Sequence, residues 1–265
     1  MTVMTDPARE LVDLCMDLAT PSNMRGDEFL AGQFETIVWS SEFYQIIFAI
    51  SARCDQLIAI IKSSMLDEDF KTHLVSNVEQ IREAFTPSGL QNPWSHSVNN
   101  YISPANVGAL RGFSLSIREK YACPKLSVEE KDILLAQVDV LLSWLVEHQL
   151  HEKDFIRQVL IDGIVQFRFR LDRINWLGWG YAIESLREVI SAYMALENGI
   201  DASTAPDAAV MLKKLAGFVE VVFAKIATTR QTIGDSAFMI LAYEEVSKYA
   251  VGNSSVAEIL KLTAS

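Results

Sequence analysis

Residues 42–61 read EFYQIIFAISARCDQLIAII. Phe43, Ile47, Ile50, Cys54, Leu57 and Ile61 recur in steps of 4, 3, 4, 3 and 4. On an α-helix that spacing gathers the apolar side chains on one face, ready to pack against a second helix. The next run, Phe70, Leu74, Asn77, Ile81 and then Ala84 or Phe85, repeats a similar step. Ser64-Met-Leu-Asp67 joins the two runs, and Asp67 is suited to cap the second. Residues 42–86 are therefore expected to form a helical hairpin.

The surrounding sequence favours the same class. Proline is absent from 22–86 and from 125–205, and neither glycine nor proline occurs from 33 to 86. A prolyl ring removes an interior helical hydrogen bond, so such tracts permit long helices. Further helices are expected at about 105–121, 128–150, 152–175, 181–197, 203–232 and 235–252, with a short one over 254–262. Ser127 and Glu130 form a capping-box pattern at the start of the 128–150 helix. The fold expected is all-α, eight to ten helices in antiparallel hairpins, as a single domain over 1–265. Residues 87–104 hold Pro87, Gly89, Pro93, Asn99, Asn100 and Pro104, and read as one long loop. That loop is also the place where 1–86 could separate from 105–265.

Composition excludes several functions. Of 265 residues, 23 are Lys or Arg and 34 are Asp or Glu, a formal net charge of −11. A nucleic-acid binder needs clustered cations for phosphates, so no such partner is expected. Half the residues are apolar, which excludes a disordered chain. Cys15, Cys54 and Cys123 are widely spaced and odd in number, which suits a reducing, cytoplasmic setting better than a disulfide framework. The first ten residues carry no apolar signal segment, and no uncharged apolar run of 18 residues occurs. A membrane partner is therefore not expected. No phosphate-binding glycine loop, nucleophile elbow or zinc spacing is found, and no cofactor is expected.

Four places could carry function. In 152–175, Ile156, Leu160, Gly163, Ile164, Phe167, Leu171 and Ile174 share one face, with Ile161, Val165 and Phe169 opposite. A helix apolar nearly all round should be central. Its polar seam, Asp162, Gln166, Arg170 and Arg173, is then expected to be a buried register network or a bidentate anion site. Asn175-Trp-Leu-Gly-Trp-Gly-Tyr181 places Trp176, Trp179 and Tyr181 at a glycine-rich turn, either capping the core or lining a contact surface. Trp94, His96 and Tyr101 lie in the presumed loop and read as a packed connection or a lid. His148 and His151, near Glu147, Glu152 and Asp154, could hold a metal. The order of Glu and His does not match known zinc helices, so no metal site is expected.

The reading that follows is a non-enzymatic, soluble, helical protein acting through protein–protein contact, as a regulator, inhibitor, adaptor or immunity-type factor, with a homodimer as one form. The alternative is a small-molecule or anion binder, or an enzyme, with an inter-helix pocket near Arg170. A third is a membrane-active protein that is soluble before insertion, allowed by the mean hydropathy of +0.17 but opposed by the acidic charge.

Overall fold

The computed structural model describes residues 4–148 and 154–178, together with 182, 185, 189, 210, 211, 213–215, 217 and 218. The protein is all-α. The described residues form ten helices: α1 (Pro7–Asp17), α2 (Gly26–Gln33), α3 (Ser41–Ser63), α4 (Glu68–Glu83), α5 (Pro87–Gln91), α6 (Trp94–Asn100), α7 (Pro104–Tyr121), α8 (Val128–Glu147), α9 (Asp154–Asp172) and α10 (Ile174–Leu177). Two strands of two residues each, β1 (Met4–Thr5) and β2 (Cys123–Pro124), are the only extended elements among them. The helices expected over 181–197, 203–232, 235–252 and 254–262 lie outside the described residues, apart from the single positions named above. The chain divides into two compact units. One is Thr5–Arg118 with Asn175–Gly178; the other includes Glu119–Ile174 and the described residues beyond 178.

In the first unit the hairpin forms where the periodicity puts it. Ser40 caps α3, its hydroxyl accepting from Phe43 N at 3.2 Å. All six stripe residues, Phe43, Ile47, Ile50, Cys54, Leu57 and Ile61, are buried. Asp67 caps α4 by accepting from Asp69 N at 2.9 Å, and α4 packs back on α3. The α4 stripe differs from expectation. Leu74, Val78 and Ile81 are buried, whereas Phe70 is exposed and Asn77 half-buried. Val78 lies one residue, about 100°, from Asn77. It takes the inward place and leaves the amide at the edge.

Residues 87–104 are not a loop. They form α5 and α6 and lead into α7: Pro87 and Pro104 stand where helices begin, and Pro93 stands one residue before α6. Pro87 occupies the first turn of α5, and Thr86 Oγ1 accepts from Gly89 N at 3.3 Å. Pro104 starts α7, where Ser103 Oγ accepts from Asn106 N at 3.3 Å. The first helical N–H has no intrahelical partner in any residue, so proline loses nothing there. Gly89 is required by contact: a Cβ there would press on the Glu83 and Ala84 carbonyls. The segment before α2 runs alongside the start of α6, with Trp94 N donating to Met24 O and Ser95 N to Ser22 O, both at 2.8 Å. Elsewhere in this unit, Asp6 caps α1 and also accepts from the Ser114 hydroxyl of α7 at 2.6 Å.

In the second unit α8 and α9 pair. The Ser127–Glu130 capping box is formed in both directions. Leu134, Val138, Leu141 and Leu145 of α8 are buried, as are Leu160, Ile164, Phe167 and Leu171 of α9. The phase expected for α9 is therefore right. Its burial on all sides is not: Val165 is 44% exposed, and Ile161 and Phe169 are half-buried. The face that carries Leu160, Ile164, Phe167 and Leu171 supplies the packing, and the far side meets solvent.

Candidate functional site

The polar seam of α9 lies largely on that far side. Asp162 is exposed and accepts from Gln158 Nε2 at 2.8 Å, Gln166 is exposed, and Arg170 and Arg173 are half-buried. The expected buried network from Asp162 through Gln166 to Arg170 is thus not formed. A carboxylate with access to water has no need of an internal partner.

The buried arginines are elsewhere. Arg157 donates to Leu145 O at 2.8 Å inside the α8–α9 pair. Arg53, on α3, is only 6% exposed. Its Nη1 donates to Trp176 O at 2.5 Å, and its Nη2 lies 3.8 Å from Glu10 Oε2 of α1. Gly178 closes this node. Its φ is +83°, and a Cβ there would collide with the Glu10 carboxylate. Trp176 is half-buried, its ring set edge-on to Phe34 at 5.3 Å. It therefore serves as core cap and carbonyl acceptor. Trp179, Tyr181 and His151 lie outside the described residues.

Cys15 and Cys54 are both buried free thiols. Burial pushes Cys54 up to about 12, with the Arg53 charge pulling the other way. Burial raises Cys15 further, helped by Cys54. Thiols held so strongly protonated are poor nucleophiles.

Trp94 is a core residue. It is fully buried, donates from Nε1 to Leu18 O at 2.9 Å, and stacks on Phe29 with centroids 5.2 Å apart. His96 is exposed, meets the Tyr101 ring edge-on at 5.7 Å, and is bonded by Asn100 of its own short helix. His148 stacks on Trp144. Among the described residues no three His, Cys, Asp or Glu side chains gather as metal ligands, and no helix is long and apolar enough to cross a membrane.

The feature that stands out was missed in the sequence. Helix α2 ends in a Schellman turn: Thr36 N donates to Ala31 O at 2.9 Å and Glu35 N to Gly32 O at 3.4 Å. The left-handed position, usually glycine, is Glu35 with φ +53°. Trp39 is also left-handed, φ +60°. For an aromatic residue this conformation is uncommon and costs roughly 1–2 kcal/mol. It is held by a bond from Trp39 Nε1 to Asp27 Oδ2 at 3.0 Å. Asp27, itself buried, also takes Arg25 in a bidentate pair at 3.2 and 2.7 Å. From this anchor an aromatic ridge runs onto α3: Trp39 to Tyr44 at 5.6 Å, then Tyr44 to Phe48 at 6.2 Å. Phe48 is 68% exposed and neighbouring Ile37 79%. The solvent face of α3 continues through Ser41, Gln45 and Ala52 without a charge until Asp55, which pairs with Arg82. The available signal was the i, i+4 pair Tyr44 and Phe48, lying off the buried stripe. No known protein family matches the chain, and neither a curated protein nor a solved structure is similar to it.

Proposed function

We propose that this chain is a non-enzymatic helical protein that acts by binding another protein, a second copy of itself included, through the Trp39–Tyr44–Phe48 ridge. The observation that carries the proposal is a strained, hydrogen-bonded loop that fixes Trp39 beside two exposed aromatics. Backbone strain concentrates where a structure serves binding. Trp, Tyr and Arg dominate the energetics of protein interfaces, and Arg25 stands beside Trp39 on the shared Asp27 carboxylate. Exposed positions 41, 45, 48 and 52 step by 4, 3 and 4, with Tyr44 beside them, a spacing that accepts the ridge of a partner helix. That stripe carries no charge in a chain of net −11, so approach there meets little repulsion.

The magnitude is sufficient. An aromatic side chain offers about 200 Å². With 68% of Phe48 exposed, a partner would cover about 140 Å² of it, worth roughly 3 kcal/mol at about 25 cal/mol per Å². That lies in the hot-spot range. A photo-crosslinking amino acid at position 48 should give one discrete protein adduct, diminished by Tyr44→Glu. The same probe at Met65, on the exposed connection between α3 and α4, should give none. No adduct at 48, or an equal adduct at 65, would refute the proposal.

A further inference from the structure

A second feature lies in the other compact unit, along one face of α8. Gln137, Val140, Leu141, Trp144 and His148 follow one another in steps of 3, 1, 3 and 4, so they share a face of that helix and its end. Next to them stand the helical residues Lys214, Gly217 and Phe218. Between the two lies an open, mostly apolar groove of about 380 Å³, with Leu141 and Phe218 at its floor. That falls within the usual span for small-ligand sites.

Three features of its lining define an occupant. The apolar wall includes Leu141 and Phe218, both buried, and the Phe218 ring is fixed edge-on against Phe167 at 5.9 Å. Gly217 adds no bulk: a Cβ there would meet nothing within 4 Å, so that side of the groove stays open. On the α8 side, Gln137 Oε1 is buried and has no hydrogen-bond partner among the described residues. A buried acceptor left open is unfavourable, and a donor on an incoming molecule would relieve it. Finally, Lys214 is a cation in the groove lining. Its Nζ lies 5.4 Å from the centre of the Trp144 ring, and Trp144 stacks on His148 at 4.2 Å. Lys214 is exposed, and the aromatic face keeps its ammonium beside the apolar wall.

We infer that this groove binds a small amphipathic carboxylate that also carries a hydroxyl, with its alkyl part on Leu141 and Phe218, its carboxylate on Lys214 and its hydroxyl donating to Gln137 Oε1. The volume suits a molecule of about a dozen non-hydrogen atoms, taking for each about 30 Å³, the volume share of one liquid water. One cation matches one negative charge, so a monoanion is the fitting class. This site is separate from the aromatic ridge and stands or falls without it.

Isothermal titration of the full chain tests the inference with 3-hydroxyoctanoate, octanoate and octylamine as probes. The hydroxy acid should bind one to one, octanoate several-fold more weakly, and octylamine not measurably at millimolar concentration. Lys214→Met should weaken the hydroxy acid by about tenfold. Gln137→Leu should erase the preference for the hydroxyl. Val140 is largely exposed, so Val140→Trp should keep the circular dichroism spectrum and block the groove. Equal binding of octylamine, no heat from the hydroxy acid with folded wild-type protein, or an unchanged affinity in Lys214→Met would each overturn it.

Discussion

Arg53→Met tests whether the Glu10–Arg53–Trp176 node holds the first unit together. Methionine fills much of the arginine stem's volume, so little cavity is created. What is lost is charge and donor. Glu10, only 11% exposed, keeps its carboxylate but loses the guanidinium 3.8 Å away, and the Trp176 carbonyl loses its donor at 2.5 Å. Removing one partner of a buried ion pair costs about 3–5 kcal/mol, because the remaining charge stays out of water. With an m-value near 3 kcal/mol per molar urea, the unfolding midpoint should fall by roughly 1–2 M. Far-UV circular dichroism in urea reads it. Glu10→Gln combined with Arg53→Met should recover a substantial part, with a coupling of about 1 kcal/mol or more. Gln166→Met, at an exposed position on the far side of α9, should cost less than about 1 kcal/mol. An Arg53→Met loss below that figure, or a Gln166→Met loss above the Arg53→Met loss, would refute the placement of the buried charge.

Two further outcomes follow from the same region. The Cys15 and Cys54 thiols are raised by burial, Cys54 from 9.0 to about 12, so the folded state holds its protons where the unfolded chain gives them up. The thiols' contribution should be constant below about pH 9 and fall between about 9 and 12, by up to about 1.4 kcal/mol per pH unit for each thiol; an alkaline limb of equal slope in Cys15→Ala/Cys54→Ala would show that other groups cause it. Gly178→Ala should lose at least about 1–2 kcal/mol from its φ of +83° alone, and more from the collision with Glu10, so a thermal melt unchanged from wild type would mean that the turn adopts another backbone.

Legibility in the sequence depended on how local each determinant is. The α3 stripe, the Asp67 cap and the Ser127–Glu130 box all act within a few residues, and each was read correctly. Arg53 was not, although it adjoins Cys54 on the stripe. Its burial needs Glu10, 43 positions earlier, and the Trp176 carbonyl, 123 positions later. A backbone acceptor leaves no mark in a sequence. Trp176 was singled out for its ring, yet the atom that meets Arg53 is its carbonyl oxygen. The ridge escaped for a related reason: nothing about Glu35 or Trp39 as residue types suggests a left-handed backbone, and the Asp27 bond that sustains Trp39 spans 12 positions.

The misread stretch 87–104 was legible after all. Its prolines were counted as breakers, when their immediate neighbours mattered more. Thr86-Pro87 and Ser103-Pro104 each place a capping hydroxyl directly before a ring with a helix-compatible φ, and Asp6-Pro7 at the start of α1 does the same with a carboxylate. In all three the cap accepts from a backbone N–H two or three residues on, and the proline takes the next position, where its missing N–H removes no intrahelical bond. Pro93 differs: it stands one residue before α6 and offers no side-chain cap. Trp94 begins that helix instead through its backbone tie to Met24 and its indole bond to Leu18, a tertiary contact across 76 positions. The start of α6 therefore rests on packing, while α1, α5 and α7 are each started by two adjacent residues.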